Sequence, residues 1–569
     1  MGKNPFFPIP PRRAEHHAMK MLINRPEAVV EEMVEGLVLL HPGLRRLPGQ
    51  TVIVRADAEA VRDRQVTLIS GGGSGHEPAH AGYVGRGMLS AAVAGDVFTS
   101  PSPDAVLAAI RAVAGPPGAV LIVKNYTGDR LNFGLAAEMA RAEGIPVEVV
   151  IVADDVALPE SEHTAGPRGL AGTVLVHKIA GASAEAGATL AEVAASAREA
   201  ARSVKTMGVA LSPCTVPAAG KPGFTLGEDE VELGLGIHGE PGIRKVPLEP
   251  ADALVDRLLD AILARFEAKP DRVALLVNGL GGTTSMELAI VARRASAFLH
   301  QAGIVVERAY AGTFLSALEM AGVSLSILEV DDARIARLDA STDAHAWPNA
   351  APRSRVEPGR VEPPAVESLS HTVAPTTVAG RALGDAIRRI ADALIAESSR
   401  LNELDQAVGD GDIGVSLARG ARAMLEAIPG LPLDDPAATL HALSVLLQRS
   451  LGGTSGPLYA MALLRASGRL KEDAADWSGA LKAGCLGITE LGGAGAGDRT
   501  MLDALIPASE AFEAGQSLSD AIAAAESGAA STASMSPRKG RSSYLGDRAI
   551  GHPDPGAEAV VVWLRAIAE

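Results

Sequence analysis

The sequence predicts a multidomain fold, an N-terminal α/β domain joined to a C-terminal all-α domain, and three observations predict it. From about Leu22 to Asp339, strand-like apolar runs alternate with helical patterns. Between Trp347 and Thr377 the composition turns to proline and charge. From Val378 onward, apolar residues recur almost without a break at helical spacing. The chain has 569 residues, enough for two or more domains, and 47% of them are apolar, ample for packed cores.

Taken in order, residues 1–20, MGKNPFFPIPPRRAEHHAMK, lack a continuous apolar run and are interrupted by prolines. They read as a disordered extension and not as a signal peptide. Residues 21–345 carry the strand-like runs Val66–Ser70, Ala119–Lys124, Val147–Val152 and Val273–Val277, several followed by glycine-rich turns. This pattern predicts largely parallel strands, with ligands at the loops leaving the strand C-termini. Residues 346–377 form a Pro-rich linker. Residues 378–569 are predicted to form helices over Leu383–Leu401, Leu417–Leu425, Ala437–Ser450, Leu458–Leu470 and Thr500–Ala514, in a bundle or barrel. The last apolar run, Ala559–Leu564, is read as helix because a helical domain surrounds it.

The formal charge of −16 argues against nucleic acid or an anionic membrane as partner. No stretch resembles a membrane span. The two cysteines, Cys214 and Cys485, make no disulfide framework and fit a reducing cytoplasm.

Three segments of the first domain concentrate chemistry. The first, SGGGSGHEPAHAG (70–82), follows the strand VTLIS and lets the backbone curl around a small polar ligand; a flexible turn is the bland alternative. Within it, His76-Glu77-Pro78-Ala79-His80 matches the zinc-protease pattern H-E-x-x-H. That pattern needs an intact helix, and Pro78 is tolerated only in a first turn, which places His76 at a helix mouth. The run also fails G-x-S-x-G, since position 76 is His. The second segment, KNYTGD (124–129), sets Lys124 and Asp129 in a strand-end loop, suited either to hydroxyl and carbonyl ligands or to a solvated ion pair. The third, Cys214–Gly242, holds His238 among glycines. Neutral imidazole is a competent nucleophile and base, but a lone histidine among glycines is usually structural or solvent-facing.

In the second domain, LDQAVGDGDIG (404–414) places Asp405, Asp410 and Asp412 within eight residues. Such carboxylates repel unless cations intervene, and hard oxygen ligands suit Mg²⁺; a solvated acidic loop is the alternative. An EF-hand fails, because Gly414 stands where a third acid belongs. GGTSG (452–456) and GGAGAGDRTMLD (492–503) are glycine-rich. In the latter, Asp498 occupies the position where a P-loop requires Lys, and no G-K-[ST] occurs in the chain. These glycines can still offer backbone N–H groups to phosphates at helix N-termini. GRSSYLGDRAIGHPDPG (540–556) is a long polar loop.

Together and in this order, GGGSGHEPAHAG, KNYTGD, TVPAAGKPGFTL and GIHGEPG resemble the substrate domain of the dihydroxyacetone kinase family, over about Met21 to Asp339. The acidic and glycine-rich segments after Val378 resemble the nucleotide domain of the same family. The resemblance implies two α/β subdomains and an eight-helix barrel with nucleotide at its mouth. It implies that His238 forms a hemiaminal with the substrate carbonyl carbon. His76 and Asp129 would act as the acid–base pair, and Gly73, Ser74, Gly75 and Lys124 would shape the pocket. Asp405, Asp410 and Asp412 would hold two Mg²⁺ ions. Thr454, Ser455, Gly492 and Met501 would line the ATP site, with Arg541 and Asp554 closing it. Ile413 departs from a place often polar in relatives. The implied activity is phosphorylation by ATP of a primary hydroxyl of dihydroxyacetone, a small ketose, in a homodimer with exchanged domains. A four-carbon ketose such as erythrulose, or a cyclising FAD-AMP lyase side activity, are alternatives within the family. A ligand-sensing regulator built on a dead kinase would have lost members of the sets above, and all are retained.

Overall fold

The computed structural model describes residues 20–158, 166–240, 242–349, 375–539, 541–544 and 546–568. Nearly all of the expected N-terminal extension and most of the expected linker lie outside the described residues. The chain divides into two compact units, Met1–Val361 and Glu362–Glu569.

The first unit contains two six-stranded sheets. In the first, β1 (Leu44–Arg46), β2 (Val52–Arg55), β3 (Thr67–Ser74), β4 (Ala91–Val97), β5 (Ala119–Lys124) and β6 (Val147–Val152) lie in the order β1-β2-β4-β3-β5-β6. β4, β3, β5 and β6 run parallel, with β1 and β2 antiparallel at one edge. Every residue of β3 and β5 is buried, as expected of parallel strands covered on both faces. β3 extends past the predicted Ser70 through the glycine run. Gly71, Gly72 and Gly73 pair with Val93, Ala94 and Gly95 of β4. A Cβ on Gly71 would collide with the Val93 carbonyl, and one on Gly73 would lie 2.5 Å from the Thr99 nitrogen. The glycines are therefore strand residues in close backbone approach, not a flexible turn.

The second sheet comprises β7 (Val204–Ala210), β8 (Glu230–Leu233), β9 (Arg244–Pro247), β10 (Arg272–Gly279), β11 (Val305–Gly312) and β12 (Gly322–Glu329), in the order β11-β10-β12-β7-β8-β9. Only β10 and β11 pair in parallel. The expectation of largely parallel strands thus holds for the first sheet alone. Parallel neighbours need a crossover element, usually a helix, and no helix separates β7, β8 and β9. The helix Gly172–Glu185 touches strands of both sheets. It is buried at every residue but Glu185, and its two buried ionisable side chains are paired, Lys178 Nζ donating to the Arg337 carbonyl at 2.7 Å and His177 Nε2 meeting His80 Nδ1 at 3.0 Å. The folded chain continues past the expected boundary at residue 345. Trp347 is 2% exposed, with its ring 4.8 Å from Tyr310, because a large apolar ring gains more by burial than by serving in a linker.

The second unit is all α-helical: α1 (Val378–Ala396), α2 (Ser398–Val408), α3 (Ile413–Ala427), α4 (Pro436–Ser450), α5 (Ser455–Glu472), α6 (Trp477–Gly492), α7 (Leu502–Glu513), α8 (Leu518–Ser531) and α9 (Pro555–Ala568). Eight of them close a ring in the order α1-α3-α4-α5-α6-α7-α8-α9, and α9 packs back on α1. α2 lies outside the ring against α3 and α9. The predicted helix Leu383–Leu401 is two helices that break at Glu397. Two helices, α6 and α8, had no counterpart in the sequence reading. Both are rich in glycine and alanine, which weakens the periodic signal. Their small residues serve close approach: a Cβ on Gly487 would lie 2.7 Å from Arg465, and one on Gly528 would collide with the Asp503 carbonyl. The ring encloses a cavity of about 560 Å³ whose lining, including Leu394, Leu447, Phe512 and Trp563, is almost wholly apolar. It offers no group for phosphoryl chemistry.

Candidate active site

In the α/β unit, the chain leaves β3 at Ser74 and turns through residues 75–80 without forming a helix, so His76 is carried on a turn and not at a helix mouth. Gly75 takes φ +97°, which glycine tolerates, and a Cβ there would lie 2.9 Å from the Phe98 ring. His76 is fully buried, with Nδ1 2.8 Å from the Ser316 carbonyl oxygen. A carbonyl only accepts, which assigns the proton to Nδ1 and the lone pair to Nε2. Nε2 has no hydrogen-bond partner. Burial first, then the positive charge of Lys124, hold this imidazole well below its ordinary pKa, so it is neutral at pH 7.

His238 lies in the turn that joins β8 to β9. Its ring centroid is 4.9 Å from that of His76, 4.5 Å from that of Tyr126 and 5.3 Å from that of Phe98. Nδ1 is 3.0 Å from Glu240 Oε1, and the His238 backbone N–H donates to Glu240 Oε2 at 3.0 Å. An ionised carboxylate is acceptor-only, so here too Nδ1 carries a proton, and in the neutral ring Nε2 is the nitrogen with the free lone pair.

Lys124 ends β5 and Asp129 sits in the first turn of the helix Thr127–Ala142; both are buried. They converge over Gly72, where a Cβ would stand 3.2 Å from Lys124 Nζ and 3.5 Å from Asp129 Oδ2. Lys124 Nζ lies 5.7 Å from the Tyr126 ring centroid and makes no hydrogen bond. Burial lowers its pKa, and the carboxylates of Asp129, Glu240, Asp154 and Glu77 partly oppose that. The structure thus gathers His76, His238, Lys124 and Asp129 into one cluster, with His238 partly exposed and the other three buried. Ser74 and Gly75 surround it differently. The Ser74 hydroxyl donates to the Gly95 carbonyl at 2.7 Å, and the Gly75 N–H meets the Glu77 carboxylate. H-E-x-x-H forms no metal site: His80 Nδ1 turns away to His177 Nε2 at 3.0 Å.

In the helical unit, Asp405, Asp410 and Asp412 bring carboxylate oxygens within 4.8 Å of one another, the one group of three or more possible metal ligands among the described residues. Asp405 lies in the last turn of α2, and its Oδ2 accepts from the backbone N–H groups of Asp412 and Ile413 at 2.9 and 3.2 Å. Gly411 turns the loop with φ +76°. Gly414 lets α3 approach α2 closely, and the Asn402 side chain accepts from the Gly414 and Val415 N–H groups at the start of α3. Converging hard oxygen donors of one charge fit Mg²⁺. Ile413 contributes only its backbone here.

Thr454 and Ser455 open α5. Their loop is held to the start of α3 by a bond from the Gly452 N–H to the Ser416 hydroxyl, 2.8 Å, so it lies at the same end of the ring as the acidic loop. Gly492 ends α6 beside Leu458 of α5. Met501 and Asp554 precede α7 and α9 and flank Gly556 together. Burial lifts the Asp554 carboxyl to about 6. The side chain of Arg541 lies outside the described residues.

Sequence reading missed several groups. Glu240 stands in GIHGEPG, two residues beyond His238, where its presence could have been noted. Phe98, Tyr126 and the Ser316 carbonyl carry no local signal. Arg499, fully buried, donates to the carbonyls of Thr532, Ala549 and His552 at 3.1, 3.0 and 2.9 Å and so ties the glycine-rich loop to the segment before α9.

The Dak1 domain matches residues 35–346 and the DAK2 domain residues 407–569. The chain is 47% identical over 581 residues to a Solanum lycopersicum protein whose name proposes 3,4-dihydroxy-2-butanone kinase activity, covering 96% of this chain and 98% of that protein. It is 44% identical over 571 residues to human triokinase/FMN cyclase, covering 97% and 99%. The crystal structure of the Citrobacter freundii dihydroxyacetone kinase in complex with AMP-PNP and Mg²⁺ matches with a TM-score of 0.65 at 36% identity, covering 96% of this chain and 99% of that one. No helix among the described residues is long and apolar enough to cross a membrane.

Proposed function

The chain belongs to the dihydroxyacetone kinase family of joined Dak1 and DAK2 domains, and on that premise we propose that it transfers the terminal phosphoryl group of ATP to a primary hydroxyl of dihydroxyacetone, giving dihydroxyacetone phosphate. The observation that carries this reading is the pair of imidazoles in one pocket, His76 and His238, each with Nδ1 engaged and Nε2 left for chemistry.

A triose offers little apolar area, so noncovalent grip is limited. The His238 Nε2 lone pair attacks the carbonyl carbon, the π pair moves to oxygen, and the oxygen takes up a proton to give a hemiaminal. Glycerol has no carbonyl and cannot be held this way. The fixed hydroxyl is then presented to His76 and Asp129, which remove its proton as it attacks phosphorus, an aid of about 10²- to 10⁴-fold. Immobilisation adds the positional gain. Asp405, Asp410 and Asp412 would hold Mg²⁺, which would supply positive charge against the transferring phosphoryl group. The Thr454–Ser455 loop, Gly492 and Met501 receive the nucleotide, with Asp554 at its rim. Transfer requires the ketose of one unit to meet the nucleotide of the other. We assign this to a cytoplasmic homodimer with exchanged units.

The test is ATP-dependent turnover of dihydroxyacetone, erythrulose and glycerol by wild type and His238→Ala. Ketose turnover without glycerol turnover, and a loss of ketose affinity in the variant, are expected. Failure of wild type to phosphorylate any ketose overturns the proposal. A second reading follows from the names of the relatives. A four-carbon ketone is favoured if erythrulose shows the higher kcat/KM, and formation of a cyclic flavin phosphate from FAD with Mn²⁺ would add the lyase activity.

A further inference from the structure

We infer that Glu240 is a positioning residue for the covalent step: its carboxylate locks His238 in the tautomer whose Nε2 is bare and balances the charge the ring acquires when Nε2 bonds to carbon. The inference rests on the reading of His238 as the ketose anchor.

The geometry is a two-point clamp. One Glu240 oxygen faces the Nδ1–H of His238 and the other takes its backbone N–H, both at 3.0 Å, so the carboxylate fixes the ring relative to its own main chain. The rotation that would present Nδ1 to the pocket breaks the ring contact. The clamp is itself supported. A Cβ on Gly236 would collide with Glu240 Oε2 and lie 2.6 Å from Arg168 Nη1, so the carboxylate and the guanidinium flank the space that this glycine leaves open. Arg168 is 7% exposed and is anchored in turn, donating to Asp155 Oδ2 and to the Gly234 carbonyl, each at 2.7 Å. Burial opposes ionisation of Glu240, but its bonds to His238 outweigh that and bring its carboxyl to about 2, so it is anionic whenever the ketose binds.

The chemistry needs such an anion. As the Nε2–C bond forms and the C=O π pair moves to oxygen, the ring gains a positive charge and the oxygen a negative one. The Nδ1 proton stays on the ring, donated to Glu240, while the oxyanion takes one proton from solvent. The product is a hemiaminal on an imidazolium ring paired with the ionised Glu240 carboxylate. Without the carboxylate, the cationic ring would share its cluster with Lys124, whose positive charge already opposes charging of His76, and with no counter-ion on its own Nδ1 side.

The experiment uses the full chain without nucleotide and [2-¹³C]dihydroxyacetone, following the protein-bound carbon from the carbonyl to the tetrahedral region by NMR in wild type, Glu240→Gln, Gly236→Ala and His238→Ala. The ¹⁵N shifts of His238 report which ring nitrogen carries the proton. Glu240→Gln keeps the shape and removes the charge; Gly236→Ala keeps the charge and displaces it. Both are expected to weaken adduct formation by roughly 10- to 100-fold, the loss of one charge-assisted hydrogen bond, to mix the His238 tautomers, and to raise KM for the ketose while leaving KM for ATP unchanged. Wild-type adduct affinity and tautomer in Glu240→Gln overturn the inference and leave the His238 reading intact. A wild type that forms no more adduct than His238→Ala overturns the reading beneath it.

Discussion

Lys124→Met is expected to stabilise the α/β unit while disabling it. Lys124 is fully buried, and its ammonium makes no hydrogen bond. Burial pulls its pKa down from 10.5, against the partial help of four carboxylates. The sign follows by linkage. A cation whose folded pKa is depressed costs stability at every pH below that pKa, and the cost fades as pH rises from there to the unfolded value. Met has a similar length and keeps the contacts around Gly72 and Gly169, where the Lys124 stem lies against the backbone. It removes a buried donor whose desolvation is worth about 1–3 kcal/mol. Asp129, Glu240, Asp154 and Glu77 lose a compensating charge, which draws the net gain toward about 1 kcal/mol. Turnover should fall by roughly 10²-fold or more if the Lys124 ammonium donates to a ketose oxygen, the ligand chemistry its segment suits, since losing such a donor has effects of that size. Trp347 is buried in this unit, and the other two tryptophans, Trp477 and Trp563, lie in the helical one. Replacing those two with Phe gives a background in which urea unfolding, followed by Trp347 fluorescence at pH 7.5, reports on the α/β unit alone. A variant that unfolds at lower urea, or one that keeps wild-type turnover, refutes the reasoning.

Two further outcomes concern the helical unit. Asp412→Asn relieves repulsion among three carboxylates within 4.8 Å of one another, so metal-free thermal stability should rise by about 1 kcal/mol or less, and the stabilisation by added MgCl₂ seen in wild type should shrink or vanish in melting scans. Burial holds the Asp554 carboxyl at about 6, above its ordinary 3.8, so the folded unit binds the extra proton between those values. Stability should therefore fall by about 3 kcal/mol as pH rises from about 4 to about 6. Asp554→Asn should flatten that slope in denaturant titrations of the helical unit, and an unchanged slope would exclude Asp554 as its source.

What the sequence determined by itself was local. β5 and β6 run over the residues that their apolar runs marked, because continuous branched aliphatics suit a buried parallel strand. The final run Ala559–Leu564 lies within α9, and the three aspartates converge because the last lies only seven positions after the first. The glycine run was visible, but its role was not: whether it is a turn or a strand depends on β4, which supplies the backbone that a side chain would strike. The antiparallel order of the second sheet, and the helices α6 and α8 built on small residues, also depend on neighbours that leave no periodic trace. The same holds for the histidines. His76 takes its tautomer from a carbonyl 240 residues away at Ser316, and Arg499 fastens groups from 33 to 53 residues distant. Residue type and spacing tell which groups can do acid, base or metal chemistry. Their charge, tautomer and direction are set by desolvation and by partners from remote parts of the chain, and only tertiary structure decides those.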